Sequence, residues 1–136
     1  MTNDELVKKA IEMTNMSYAP YSHFHVGAAL LGKDGKVYTG CNVENAAYGP
    51  SNCAERTAVF KAVSEGCREF ESIAIAGGLE DAQGVPQIKD FCPPCGVCRQ
   101  VLSEFCSRDF KIILVNGNGE QKVFTLGQLL PESFSL

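Results

Sequence analysis

Two thiol-bearing segments, Cys53-Ala54-Glu55 and Pro94-Cys95-Gly96-Val97-Cys98, each stand directly before an amphipathic run. Cys95 and Cys98 are i and i+3, so in a first helical turn they share a face and can chelate one ion. Cys53 adds a third sulfur once the two helix starts meet, so the fold has to bring two distant helix N-termini together. A zinc ion held by three thiolates at about 2.3 Å keeps a fourth position open for water. Helix N-termini favour thiolate through their partial positive charge.

Taken alone, Cys-x-x-Cys is less specific. It also fits a structural zinc knuckle, a redox dithiol or buried apolar thiols. An overlapping pair, Cys92-Pro93-Pro94-Cys95, competes for the role. The Cys95/Cys98 pair is preferred because Pro94 is expected to open the helix that aligns it, which leaves Cys92 a spectator. A redox site of the thioredoxin kind normally follows the first strand of a βαβ unit, and this one comes late. Seven cysteines, an odd number without a secretory leader, point to a reducing cytoplasm rather than a disulfide framework. Cys41, Cys67 and Cys106 lack metal spacing.

The chain has 136 residues and 45% hydrophobic composition, which suits one globular domain over residues 1–136. No apolar run approaches the roughly 20 residues of a membrane span. A formal net charge of −4 gives no basic face for a nucleic acid polymer. It suits a small neutral or cationic ligand.

Thr2 with Glu5 reads as a capping box for a helix over Asn3 to Met16. Val26 to Leu31 and Lys36 to Cys41 read as strands joined by an Asp34-Gly35 turn. A second helix spans Cys53 to Glu65, with Gly66 placed to end it. Ser72 to Ala76, Lys111 to Val115 and Gln121 to Phe124 read as strands. A third helix starts at Pro94, and a short last one follows Thr125 and stops at Pro131. Alternating strands and helices make this an α/β layered domain with a mixed sheet.

Glu55 has two readings. Asn52-x-x-Glu55 fits a capping box. Beside three placed cysteines, a carboxylate that is not a ligand fits the zinc deaminase signature, in which it works as acid and base. Arg56 and Arg99 are candidates to donate to the sulfurs and offset their charge. His23 and His25, the only histidines, are assigned to packing or hydrogen bonding rather than to the metal.

Five segments in order resemble the small cytidine deaminases that act on free nucleosides. They are Tyr18-Ala19-Pro20-Tyr21-Ser22-His23-Phe24 with Val26-Gly27-Ala28-Ala29-Leu30; Gly40-Cys41-Asn42-Val43-Glu44-Asn45-Ala46; the two cysteine segments; and Leu129-Leu130-Pro131-Glu132-Ser133-Phe134. The resemblance implies a three-layer α/β/α domain with a five-stranded mixed sheet and one Zn2+ per subunit. The implied reaction is hydrolysis of cytidine and 2′-deoxycytidine to the uridines and ammonia, in pyrimidine salvage. It implies Glu55 as the catalytic carboxylate and Cys53, Cys95 and Cys98 as ligands.

The resemblance further implies that Asn42 and Glu44 bind the ribose, that Phe24 meets the pyrimidine, and that the Ala54 backbone binds the amine and ring nitrogen. Tyr48 and Phe134 would serve a site shared between subunits of a cytoplasmic homotetramer. Without the resemblance, Asn42 and Glu44 read as an exposed strand end, and Phe24, Tyr48 and Phe134 as ordinary packing. Leu79 to Phe91 is longer than the family pattern. Two rivals stand beside this reading: a deaminase of another aminopyrimidine nucleoside such as blasticidin S, and a non-enzymatic zinc module closed by Cys92.

Overall fold

A computed structural model describes residues 1–136. Helix α1 (Asn3–Met13) starts where the Thr2 hydroxyl accepts from the Glu5 backbone N–H at 3.1 Å. The expected helix to Met16 tightens after Met13 into a 3-10 turn, Thr14–Met16. Strand β1 (Phe24–Gly32) turns through Gly35, at φ 83°, into β2 (Val37–Cys41). Helix α2 (Ala54–Ser64) leads to β3 (Phe70–Leu79). Helix α3 (Gly96–Phe105), β4 (Lys111–Val115), β5 (Gln121–Thr125) and α4 (Leu126–Leu129) complete the chain.

The sheet order is β2-β1-β3-β4-β5, with β3 parallel to β4 and every other pair antiparallel. This is the expected five-stranded mixed sheet. Strands β1 and β3 run longer than their apolar cores suggest. They are central neighbours, and their register extends from Gly32 opposite Phe70 to Phe24 opposite Leu79. Pairing continues there through Gly77 and Gly78, which carry no hydrophobic signal.

Alternation along the strands builds two cores. Ala29, Leu31, Ala74, Ala76, Ile113 and Val115 pack under Leu6, Val7 and Ala10 of α1. Ala28, Leu30, Ile73, Ile75, Ile112 and Leu114 pack on the opposite face with α2 and Leu102 of α3. Helices therefore cover both faces, giving three layers. The helices sit low because the strands offer glycine beneath them. A Cβ on Gly27 would lie 2.0 Å from the Ala10 carbonyl oxygen, and one on Gly40 would lie 2.3 Å from that of Ala54.

One boundary differs from the sequence reading in a way that matters to the site. Pro94 does not open α3. Cys95 is the N-cap, in extended conformation at φ −67° and ψ 165°, and Gly96 is the first helical residue. The N-cap sulfur then accepts from the Cys98 backbone N–H at 3.4 Å, which turns both sulfurs to one side. The long segment after β3 is an ordered loop. The Asp81 carboxylate accepts from the Gln83 and Val85 N–H groups, and the Gln87 N–H returns to the Leu79 carbonyl at 2.9 Å. The Gly117 N–H holds its far end at the Lys89 carbonyl.

Candidate active site

The starts of α2 and α3 meet on the face of the sheet away from α1. Each start is capped by a cysteine in extended conformation, Cys53 and Cys95. The sulfurs of Cys53, Cys95 and Cys98 lie within 4.8 Å of one another. Cys53 is 3.6 Å from Cys95, and Cys95 is 3.4 Å from Cys98. Thiolates at about 2.3 Å from a tetrahedral zinc are separated by roughly 3.8 Å, so the triad fits one zinc ion with little adjustment. Cys92 is not in the triad, which leaves three sulfurs rather than the four of a closed site.

The Cys53 thiol is lowered to about 5, first by the Cys98 thiol and, against burial, by Arg56 and Cys95. The same contact and burial push Cys98 upward. The Arg56 Nη2 donates to Cys53 at 3.3 Å, while its buried Nε has no partner. Arg99 is not drawn to the sulfurs. Its Nε donates to the Pro94 carbonyl at 2.7 Å and its Nη1 to the Leu129 carbonyl at 2.8 Å. It braces the loop before Cys95 against the C-terminal segment.

Glu55 does not act as a helix cap. Cys53 holds the N-cap position without a side-chain bond, and the Asn52 amide donates instead to Thr57. Glu55 is 4% exposed. Burial pushes its carboxyl up to about 7, and the Cys53 charge adds to the rise. A carboxyl poised near neutrality beside a metal triad can take and return a proton.

These groups line a cavity of about 370 Å³ that also holds Asn42, Glu44, Tyr48 and Ala54. Most expected site residues therefore converge. Phe24 and Phe134 do not line it. Phe24 borders a neighbouring cavity, and Phe134 lies exposed on the tail, its carbonyl accepting from Gln100. Sequence reasoning passed over Val26, Ser51, Asn52 and Pro93, and set Cys92 aside, yet all five line the cavity. Burial pushes the Cys92 thiol up to about 12, so it presents an uncharged surface. The histidines stay clear of the sulfurs: His23 Nδ1 meets Glu80, and His25 lies 3.8 Å from the same carboxylate.

Residues 1–114 match the sequence profile of the cytidine and deoxycytidylate deaminase zinc-binding region. The chain belongs to this deaminase family. A cytidine deaminase of Halalkalibacterium halodurans is 48% identical over 99% of this chain and 96% of its own length. The crystal structure of a cytidine deaminase from Burkholderia pseudomallei superposes with a TM-score of 0.86 at 44% identity, covering 98% of this chain and 100% of its own. A blasticidin-S deaminase of Bacillus cereus is more distant, at 31% identity over 96% of this chain and 91% of its own. Deaminases of this family carry a zinc-binding region, and the cysteine triad here is compatible with one zinc ion. No helix is long and apolar enough to cross a membrane.

Proposed function

We propose that this chain hydrolyses cytidine and 2′-deoxycytidine to the corresponding uridines and ammonia, in the cytoplasm and in pyrimidine salvage. The observation that carries the reading is the buried Glu55 carboxyl set beside a three-sulfur cluster at the wall of an open cavity. Cys53, Cys95 and Cys98 would hold one zinc per subunit, which when bound lowers the pKa of water toward neutrality. Glu55 takes a proton from the attacking water and passes it to ring N3. Oxygen adds at C4, Glu55 then delivers a proton to the amine, and ammonia leaves. Arg56 offsets the charge of the thiolates. The backbone at Ala54 holds the amine edge of the base.

The hydrogen bonds already made by Asn42 and Glu44 define how they serve the ribose. The Asn42 carbonyl oxygen accepts from Ser17 and from the Val26 N–H, and its amide donates to the Phe24 carbonyl. One amide N–H remains to give. Glu44 accepts from the Tyr21 and Ser22 N–H groups and from the Ser22 hydroxyl. A carboxylate has about four acceptor positions, so one remains to receive. A donor and an acceptor suit two neighbouring hydroxyls. Burial raises the Glu44 carboxyl, but these hydrogen bonds outweigh it and hold Glu44 ionised.

Tyr48, 97% exposed, and Phe134, 67% exposed, are free to complete a site shared in a homotetramer, with Phe134 and Phe24 meeting the base. The whole chain acts as one domain. The test is deamination of cytidine by purified zinc-loaded protein, followed by ultraviolet absorbance. One ammonia released per cytidine lost is expected. Folded, zinc-loaded protein without turnover overturns the reading, and blasticidin S in the same assay examines the more distant relative's substrate.

A further inference from the structure

A second cavity of about 390 Å³ lies between the end of β3 and the long loop, lined by Phe24, Gly77, Gly78, Leu79 and loop residues through Phe91. It lies next to the first cavity, and the two meet at Gly77. A Cβ placed there would lie 2.9 Å from the Cys92 sulfur and 3.0 Å from Phe24 Cε1. Cys92 lines the first cavity, whereas Phe24 and Gly77 line the second. The partition is thus one thiol and one ring edge seated on a residue without a side chain. No backbone hydrogen bond joins Cys92 to Gly77 across it.

The argument rests on the cytidine deaminase reading of the site. Asn42 and Glu44 are taken by the ribose. Glu55, Ala54, Arg56 and the sulfurs are taken by the reacting carbon C4, ring N3 and the amine. Val26, Pro93 and Cys92 are left as apolar walls for the rest of the base. The ring atoms flanking C4 are N3, which Glu55 serves, and C5. Cys92, three residues before Cys95, is the wall next to the sulfurs, and only behind it is there space. We propose that Cys92, seated on Gly77 against Phe24, sets the size of the C5 substituent this enzyme accepts. The cavity behind it is a subsite for alkyl or halogen groups on C5 once the wall is thinned.

The test measures kcat/KM for cytidine and 5-iodocytidine in the zinc-loaded wild type and variants. The ratio of the two cancels general losses of activity. One methylene of wall is worth tenfold or more in a packed pocket, so Cys92→Ala should raise the 5-iodocytidine to cytidine ratio by about tenfold and Cys92→Ile should lower it by about as much. Gly77→Ala forces Cys92 and Phe24 into the first cavity and should raise KM for cytidine more than it lowers kcat. Adding Cys92→Ala to Gly77→Ala should recover that KM. Ratios within twofold of wild type in both Cys92 variants overturn the proposal, as does a Gly77→Ala defect that Cys92→Ala leaves in place. Wild type without cytidine turnover overturns the deaminase reading itself and the C5 assignment with it.

Discussion

Arg56 donates its Nη2 to the sulfur of Cys53, the residue that caps Arg56's own helix, at 3.3 Å. The contact places a permanent cation against a cluster that would carry three thiolates. Removing it should weaken the metal more than the fold. Arg56→Gln is expected to lower zinc affinity about 10- to 100-fold, as measured by competition with a chelator. An unchanged affinity would leave Arg56 a packing residue.

Glu55 supplies the proton transfers, and it is not in the sulfur triad. Glu55→Gln keeps the shape and removes the base. Turnover should fall by about 10²- to 10⁴-fold while one zinc per chain is retained by elemental analysis. Loss of zinc together with activity would instead make Glu55 part of the metal-holding structure.

Phe134 is 67% exposed and only its backbone is engaged, by Gln100. Phe134→Ala should therefore change stability by no more than about 0.5 kcal/mol. Its proposed contact with the base in a neighbouring subunit predicts a marked rise in KM for cytidine. Equal kinetics for variant and wild type would remove Phe134 from the site.

Gly40 supports the start of α2. A Cβ there would stand 2.3 Å from the Ala54 carbonyl oxygen and 2.6 Å from the Ala58 nitrogen, both backbone atoms. Gly40→Ala should destabilise the chain by about 1–3 kcal/mol in denaturant unfolding, with a loss of activity as Cys53 is displaced.

The Tyr38 hydroxyl donates to the Asp34 carboxylate at 2.7 Å, and the Lys36 N–H donates at 3.0 Å. These bonds hold Asp34 below its ordinary value. Its contribution is complete above the ordinary carboxylate range, near pH 4, and is lost as pH falls through the lowered native value. Tyr38 is shifted upward by the same bond, so its contribution is lost above about pH 10, where the unfolded tyrosine ionises first. Tyr38→Phe should flatten both limbs of the melting temperature against pH. Identical limbs in the two proteins would contradict this.

Much of the scaffold was legible because its signals are local. The Lys111–Val115 strand, the Thr125 cap and the Asp34-Gly35 turn depend on neighbours a few residues away, and each was found where expected. The ends of β1 and β3 were not, because Gly77 and Gly78 join the sheet only through β1 opposite them. Arg99 was expected at the sulfurs, yet its partners are carbonyls at Pro94 and Leu129, the second of them far along the chain.

Sequence alone determined which residues were able to make the site. The i, i+3 spacing of Cys95 and Cys98 and the position of Glu55 two residues after Cys53 are properties of the chain before it folds. Tertiary structure decided what those residues became. Packing α2 and α3 on the same sheet face brings Cys53 within 3.6 Å of Cys95 and buries Glu55, which shifts its proton affinity. It also turned Cys92 from a spectator into a wall. The reason is physical: spacing fixes direction within one helical turn, while desolvation and contact between distant segments exist only once the sheet has placed them side by side.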